Sequence, residues 1–296
     1  MIHHDVCPVC KNANIAKVLS AKDYTVSNET FDIWECENCR LRFTQNIPSL
    51  EESSQYYQSE NYISHSDTSQ GLINNLYHKV RKRTLVQKRK LVIKETRKKA
   101  GNILDIGCGT GAFLNTMKKA NWQITGLEPD GNARQKANEL YGIQPRSAED
   151  IYDLEGHTFD AITLWHVLEH VHDVHGYMKK IKHLLNAEGR LFIAVPNYTS
   201  YDAKHYKEYW AAYDVPRHLY HFSPKSMVKL WNIHGIKVNS IEPMWYDSVY
   251  VSMLSEQYKN GKPGAISGAI TGALSNMNTL LHTKKCSSII YTGEAI

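Results

Sequence analysis

The sequence predicts an α/β protein built on a doubly wound parallel sheet, with a small metal-held module in front of it. Three observations carry that prediction. Strand-like and helix-like segments alternate from residue 102 to residue 196, a glycine-rich turn follows the first strand, and an acid closes the second. Strands separated by helices at this spacing form a parallel sheet whose ligand sits at the C-terminal ends of the strands.

The frame is generous enough for such a fold. A chain of 296 residues accommodates one large domain and an accessory module, and 42% hydrophobic against 22% charged residues is the balance of an ordinary globular protein. The net charge of +5 is modest, but Lys79 to Lys99 is a dense run of Lys and Arg with Glu95 as its only acid. The stretch MIHHDVCPVC lacks the basic-then-apolar pattern of a secretory signal, so a cytoplasmic, reducing location is expected. No window reaches the roughly 18 continuous apolar residues of a membrane span.

The first element is the metal module. Cys7-Pro-Val-Cys10 and Cys36-Glu-Asn-Cys39 are two C-x-x-C knuckles separated by 25 residues, a spacing that sets four thiolates around one zinc ion. Four protein ligands close the coordination sphere, so this zinc is expected to be structural. Tyr24, Val26, Phe31, Ile33 and Trp34 read as a hairpin between the knuckles, giving a zinc-ribbon module over residues 1–45. A helical linker or lid, residues 46–100, follows; Tyr56, Tyr57 and Tyr62 lie in it and are read as a candidate aromatic lid.

The α/β core is expected over residues 101–296. A strand through Ile103, Leu104 and Ile106 runs into Asp105-x-Gly107-x-Gly109-x-Gly111, after which a helix begins. Glycines there allow a tight turn and close approach of a ligand to the main chain. The second strand, 123–127, ends at Glu128, positioned to accept hydrogen bonds from both ribose hydroxyls of an adenosine. A helix over 130–141, a short strand near Gln144 and the acidic string from Ser147 come next, with Ala148 and Glu149 where an adenine would lie. A fourth strand, 159–164, leads into Trp165-His166-Val-Leu-Glu169-His170. A helix over 174–185 precedes a fifth strand, 189–196. Strands at 237–243 and 287–292 bring the total to seven, and an insertion, 245–285, separates those two. Within it Ile266, Ile270, Leu274, Met277 and Leu281 recur at spacings of three and four, the pattern of an amphipathic packing or lid helix, with a dimer contact or a membrane surface as further readings.

With these motifs in place, the chain resembles the class I S-adenosylmethionine-dependent methyltransferases, of the broad group similar to the ubiquinone-type enzymes. The resemblance rests on WECENCRLRFTQNIPS, ILDIGCGTGAFL, GLEPD, WHVLEHV and DVPRHLYHFSP and covers nearly the whole chain. It implies a Rossmann-like sheet with S-adenosylmethionine as cofactor. By position it implies Gly107, Gly109 and Gly111 around the methionine portion, Asp105 at its amino group, Glu128 at the ribose, Ala148 and Glu149 at the adenine, and Trp165 close to the adenosine.

Methyl transfer needs an aligned nucleophile and, for a hydroxyl, a group that takes its proton. Two strings follow the fourth and fifth strands and supply candidates. His166 enters the acceptor cleft from the first. Arg217, His218 and His221 come from the second, which precedes a helix announced by Ser223-Pro224; His218 is read as the acceptor-side residue, a candidate base, with Arg217 or His221 as its orienter. In the resembling enzymes an E-x-x-E-H string is associated with a divalent metal. Here its first position is His166, so a metal at His166, Glu169 and His170 and a loop organised by hydrogen bonds both stay open.

The function expected is methylation of oxygen or carbon in a small molecule (a sugar, a lipid-linked intermediate or a secondary metabolite) by a monomer or homodimer. The ribbon and the basic run also describe an RNA methyltransferase, but no N-P-P-Y string follows the fourth strand and no cysteine lies near the fourth or fifth strand to attack a pyrimidine. A non-catalytic S-adenosylmethionine-binding protein is a third reading. His166 to His170 also matches the H-x-x-E-H of inverted zinc peptidases, which requires the motif on a helix.

Overall fold

The computed structural model describes residues 1–57 and 72–296, with side chains from residue 81 onward in the second segment. Tyr62 lies outside those residues, and Lys79, at the start of the basic run, lies outside the described side chains.

The ribbon comprises β1 (Ile15–Lys22), β2 (Thr30–Cys36) and β3 (Arg42–Gln45), followed by the short α1 (Leu50–Ser53). After α2 (Leu72–Thr96) the core runs β4 (Asn102–Ile106), α3 (Ala112–Lys118), β5 (Gln123–Leu127), α4 (Gly131–Tyr141), β6 (Phe159–Trp165), α5 (Val174–Leu184) and β7 (Leu185–Pro196). It continues through α6 (Tyr201–Tyr206), β8 (Tyr220–His221), α7 (Pro224–Ile233), β9 (Ile236–Pro243), α8 (Asp247–Asn260), α9 (Ala265–Leu281) and β10 (Ser288–Ala295).

The main sheet has the order β5-β4-β6-β7-β10-β9; β4, β5, β6 and β7 are parallel and β10 runs antiparallel to both its neighbours. It therefore has six strands where the sequence reading has seven. The short strand near Gln144 is reduced to a single bridge between Leu127 and Arg146, because the chain turns at once into the 3-10 turn Ala148–Asp153. Alternate residues of the central strands serve opposite faces, as the two-residue period requires. Leu104, Ile162, Leu191 and Ile193 join one apolar layer, while Ile103, Ala161, Phe192 and Ala194 join the other.

The ribbon has no separate core. Cys7, Cys36, Leu41, Phe43 and Ile47 belong to the same buried cluster as Leu164, Leu191 and Phe222 of the main domain. Its sheet, β1-β2-β3-β8, takes the fourth strand from residues 220–221, with Arg42 opposite His221 and Phe43 opposite Tyr220.

The insertion forms two helices packed on each other, and 265–281 does not use its apolar stripe for that packing. The apolar stripe faces outward, with Ile266 at 80% exposure and Leu281 at 81%, while Gly268, Thr271, Gly272, Ser275 and Thr279 are buried. The cause is close backbone contact: a Cβ on Gly268 would lie 2.5 Å from Met253 Cα, and one on Gly272 2.5 Å from Val249 Cα. Small residues let α8 and α9 meet main chain to main chain, and the larger side chains are left on the far side. Among the described residues no helix is long and apolar enough to cross a membrane.

Candidate active site

The cofactor half is built from neighbouring segments. Gly107, Gly109 and Gly111 all have positive φ, at 69°, 53° and 78°, which only glycine adopts freely. At Gly107 a Cβ would also meet Val167 Cγ2 at 2.4 Å, so the turn is pressed against the loop after β6. Glu128 is buried at the end of β5, its carboxylate gripped by Gly109 N–H (2.8 Å) and Asp130 N–H (3.0 Å). Asp105 accepts from Thr163 Oγ1 at 2.6 Å, and burial pushes its carboxyl up to about 7. Trp165 stands edge-on to Phe113 at 5.4 Å between centroids. Ala148 is half-buried at the head of its 3-10 turn, and Glu149, exposed, accepts a hydrogen bond from Ser147.

Lys88 of α2 was not anticipated. Its Nζ lies 4.3 Å from the Trp165 ring centroid, and burial pulls its pKa down to about 8 against the attraction of Asp105 and Asp247.

The acceptor half is assembled from distant segments. His166 follows β6 with φ of 60°, a conformation strained for a non-glycine residue, and is held by its N–H to Ala194 O at 2.9 Å. Its Nε2 lies 3.0 Å from Asp247 Oδ2 and its Nδ1 3.4 Å from Glu169 Oε1. Burial disfavours its charge, but the two carboxylates hold its pKa up at about 9. His166 is thus a cationic donor at neutral pH and not a base.

Glu169 is fully buried, and neither carboxylate oxygen has an aligned hydrogen-bond partner among the described residues. Beside it, His170 Nδ1 lies 3.0 Å from Arg217 O and 3.1 Å from Tyr57 Oη, and His218 Nδ1 lies 2.9 Å from Ala212 O. A proton on each Nδ1 satisfies those carbonyls and frees each Nε2. The two rings meet edge-to-face with centroids 4.6 Å apart. Burial and the neighbouring His218 drive the His170 pKa down to about 4, leaving a neutral imidazole. One ligand atom each from Glu169, His170 and His218 lies within 4.8 Å of the others.

This trio corrects the expected set. His166 is turned to Asp247 and His218 stands in its place, carried in by the loop before β8. His221 does not join the cluster either: its Nε2 meets Thr44 Oγ1 at 3.1 Å, its ring stands edge-on to Tyr213, and burial holds its pKa well below the ordinary value. Arg217 is also structural, bound to Asp23 Oδ1 (2.9 Å), Asp214 Oδ1 (2.6 Å) and Tyr56 O (2.9 Å). It orients the His218 loop by clamping ribbon, linker and core together. The peptidase reading fails on geometry, since Leu168–His170 is one 3-10 turn after a strand and His166 points elsewhere. Asp247 had no distinguishing signal, because an acid in a helix's first turn is ordinary capping chemistry.

At the ribbon, Cys7 Sγ and Cys39 Sγ are 3.5 Å apart, as are Cys10 Sγ and Cys36 Sγ, and all four sulfurs lie within 4.8 Å of one another. Zinc–sulfur bonds of about 2.3 Å directed to a tetrahedron's corners put sulfurs roughly 3.8 Å apart. A disulfide would need about 2.05 Å.

The profile of a methyltransferase-domain family matches residues 77–241. A ubiquinone biosynthesis O-methyltransferase of Aeromonas salmonicida (strain A449) is 29% identical over 174 residues, covering 54% of this chain and 71% of that protein. One of Glaesserella parasuis serovar 5 (strain SH0165) is 35% identical over 111 residues, covering 33% of this chain and 46% of the relative, so most of these matches span less than half of the relatives' length. Among solved structures, a SAM dependent methyltransferase from Archaeoglobus fulgidus shares the fold with a TM-score of 0.50 and 15% identity, over 75% of this chain and 99% of its own. The family match spans more than half of the chain, onto the strand order and glycine turn described above: the chain belongs to the methyltransferase-domain family and is an S-adenosylmethionine-dependent methyltransferase of the class I α/β fold.

Proposed function

We propose that the protein methylates an oxygen or an activated carbon of a small-molecule acceptor such as a sugar, a lipid-linked intermediate or a secondary metabolite. One observation carries the reading: the fully buried Glu169 carboxylate, with no aligned hydrogen-bond partner among the described residues, converges with the His170 and His218 imidazoles just beyond the strand end that carries Trp165. The names of the matched relatives, O-methyltransferases, support oxygen as the accepting atom.

S-adenosylmethionine supplies an electrophilic methyl carbon. Gly107, Gly109 and Gly111 give its methionine portion access to main-chain amides, and Asp105 faces its amino group. Each Glu128 oxygen is fixed by one backbone N–H and keeps a lone pair for a ribose hydroxyl. Ala148 and Glu149 border the adenine, and Trp165 walls the adenosine.

On the acceptor side the donor set suits a divalent cation. One carboxylate and two imidazole Nε2 atoms converge, and both Nδ1 positions are fixed by backbone carbonyls, the outer-shell arrangement that orients metal-bound histidine. Such an ion would act as a Lewis acid on an acceptor oxygen. His166, charged and held between Asp247 and Glu169, contributes a fixed positive charge beside the same site. His218 takes the proton when the site is used without metal. The four ribbon cysteines would hold structural zinc, with Cys10 N–H directed at Cys7 Sγ (3.5 Å) as in a metal knuckle.

The test is calorimetric titration with S-adenosylhomocysteine alongside a methyl-transfer assay over hydroxylated acceptors. Saturable binding, with His218→Ala abolishing transfer and sparing that binding, is the expected result. Full transfer by His218→Ala would overturn the acceptor-side assignment.

A further inference from the structure

A second concave site lies on the seam between ribbon and core, away from the cluster of histidines. It is a groove of about 760 Å³, within the size range of small-molecule sites. Its lining includes Arg40, Lys204, Lys207, Lys225, Lys284 and Lys285, against Glu208 as the one acid in its wall. Arg40 is already neutralised by Glu35 at 2.5 Å. None of the five lysines forms an ion pair among the described residues.

All five lysines line one concavity, four of them exposed and Lys285 half-buried, and three features bear on it. Lys207 is held at φ 51° and ψ −124°, a left-handed conformation strained for a side-chain-bearing residue. Lys285 is half-buried and feels Lys204 directly, which together lower its pKa. The N-terminus of the ten-residue α7 opens into the same groove through Ser223, Pro224 and Lys225, adding its amide dipole to the positive potential. Like charges held together in a concavity repel one another unless an anion joins them. A lone carboxylate would leave most of this charge unmatched.

We infer that this groove binds a ligand bearing two or more phosphoryl charges, a pyrophosphate or bisphosphate ester whose organic part rests on Val18, Leu19 and Pro224. The inference concerns a different surface from the methyl-acceptor site and does not depend on that reading.

The test is titration of inorganic pyrophosphate into the zinc-loaded full chain, its K204A/K285A double variant, and a K90A variant on the exposed face of α2. Saturable binding, weakened roughly tenfold in the double variant and unchanged in K90A, is the expected result. S-adenosylhomocysteine binding measured in parallel verifies that the double variant is folded. No saturable binding by the parent chain, or equal binding by the parent and the folded double variant, overturns the proposal. Sedimentation with phosphatidylglycerol vesicles, competed by pyrophosphate, would identify a lipid headgroup as the source of the phosphates. Pyrophosphate binding without sedimentation would identify a soluble ester. Retention of bulk RNA that pyrophosphate competes away would overturn the assignment in favour of nucleic acid.

Discussion

The two halves of the candidate active site are built by opposite means. The cofactor half comes largely from one stretch: Asp105, the three glycines and Glu128 lie on adjacent parallel strands within 24 residues, joined by hydrogen bonds across a single turn. The acceptor half is gathered from the ribbon, from residues 166–170, from 214–218 and from the start of α8, and its groups meet only when all of these are folded. A site made locally survives damage elsewhere in the chain; a site made at a junction inherits the stability of every partner.

Disrupting the four-cysteine cluster proposed to hold zinc should expose that difference most sharply. Structural zinc contributes on the order of 10 kcal/mol to small modules. Chelation or Cys36→Ser should therefore release β3 from β8, lower the melting temperature and abolish methyl transfer, while calorimetry still finds S-adenosylhomocysteine bound. Loss of both functions together would mean that the halves are not separable.

Within the acceptor half, Glu169→Gln keeps the shape and removes the charge. Turnover should fall about 10²- to 10³-fold with cofactor affinity unchanged, and added divalent metal should no longer bind in titration. Glu128→Ala is its counterpart in the other half. Loss of charge-assisted hydrogen bonds to the ribose should weaken cofactor binding about a hundredfold, while kcat at saturating cofactor changes little. Asp247→Asn should act more mildly, lowering turnover about tenfold and bringing the pKa of His166 down toward its ordinary value, which proton-detected NMR of the imidazole would read.

The smallest effect concerns the clamp between ribbon and core. Burial opposes ionisation of Asp23, but hydrogen bonds from Arg217 and the Ser27 backbone hold its carboxyl below the usual range. A depressed folded-state value contributes stability that is present above the unfolded pKa of about 3.9 and is lost as pH falls through the folded one. The melting temperature should accordingly drop below about pH 4, and less steeply in Asp23→Asn.

The same local and non-local contrast decided what could be read from the amino-acid order. The strand, glycine turn and acid after β5 are legible because each signal lies within a few residues of what it contacts. The four-cysteine cluster is legible because metal chemistry dictates the spacing of its two pairs. Asp247, 81 positions from His166, carries no mark of its role. Arg217 and His221 were rightly placed in one loop with His218, but sequence does not say which way a side chain points; Arg217 and His221 turn toward the ribbon and only His218 turns toward Glu169. The helix over 265–281 was legible as a helix, but the face it packs on α8 was not, because the fit is made by Gly268 and Gly272 and not by its large apolar residues.

Those two glycines reach further than packing. Asp247 opens α8, and the depth at which α8 sits is set by how closely α9 can approach it at Val249 and Met253. A single methyl group at Gly272 would meet backbone at 2.5 Å, with no flexible side chain to yield, so the helix must slide. The counter-ion of His166 would move with it, and the charge state of His166 would change through a glycine whose own neighbours are Ser248 and Val249.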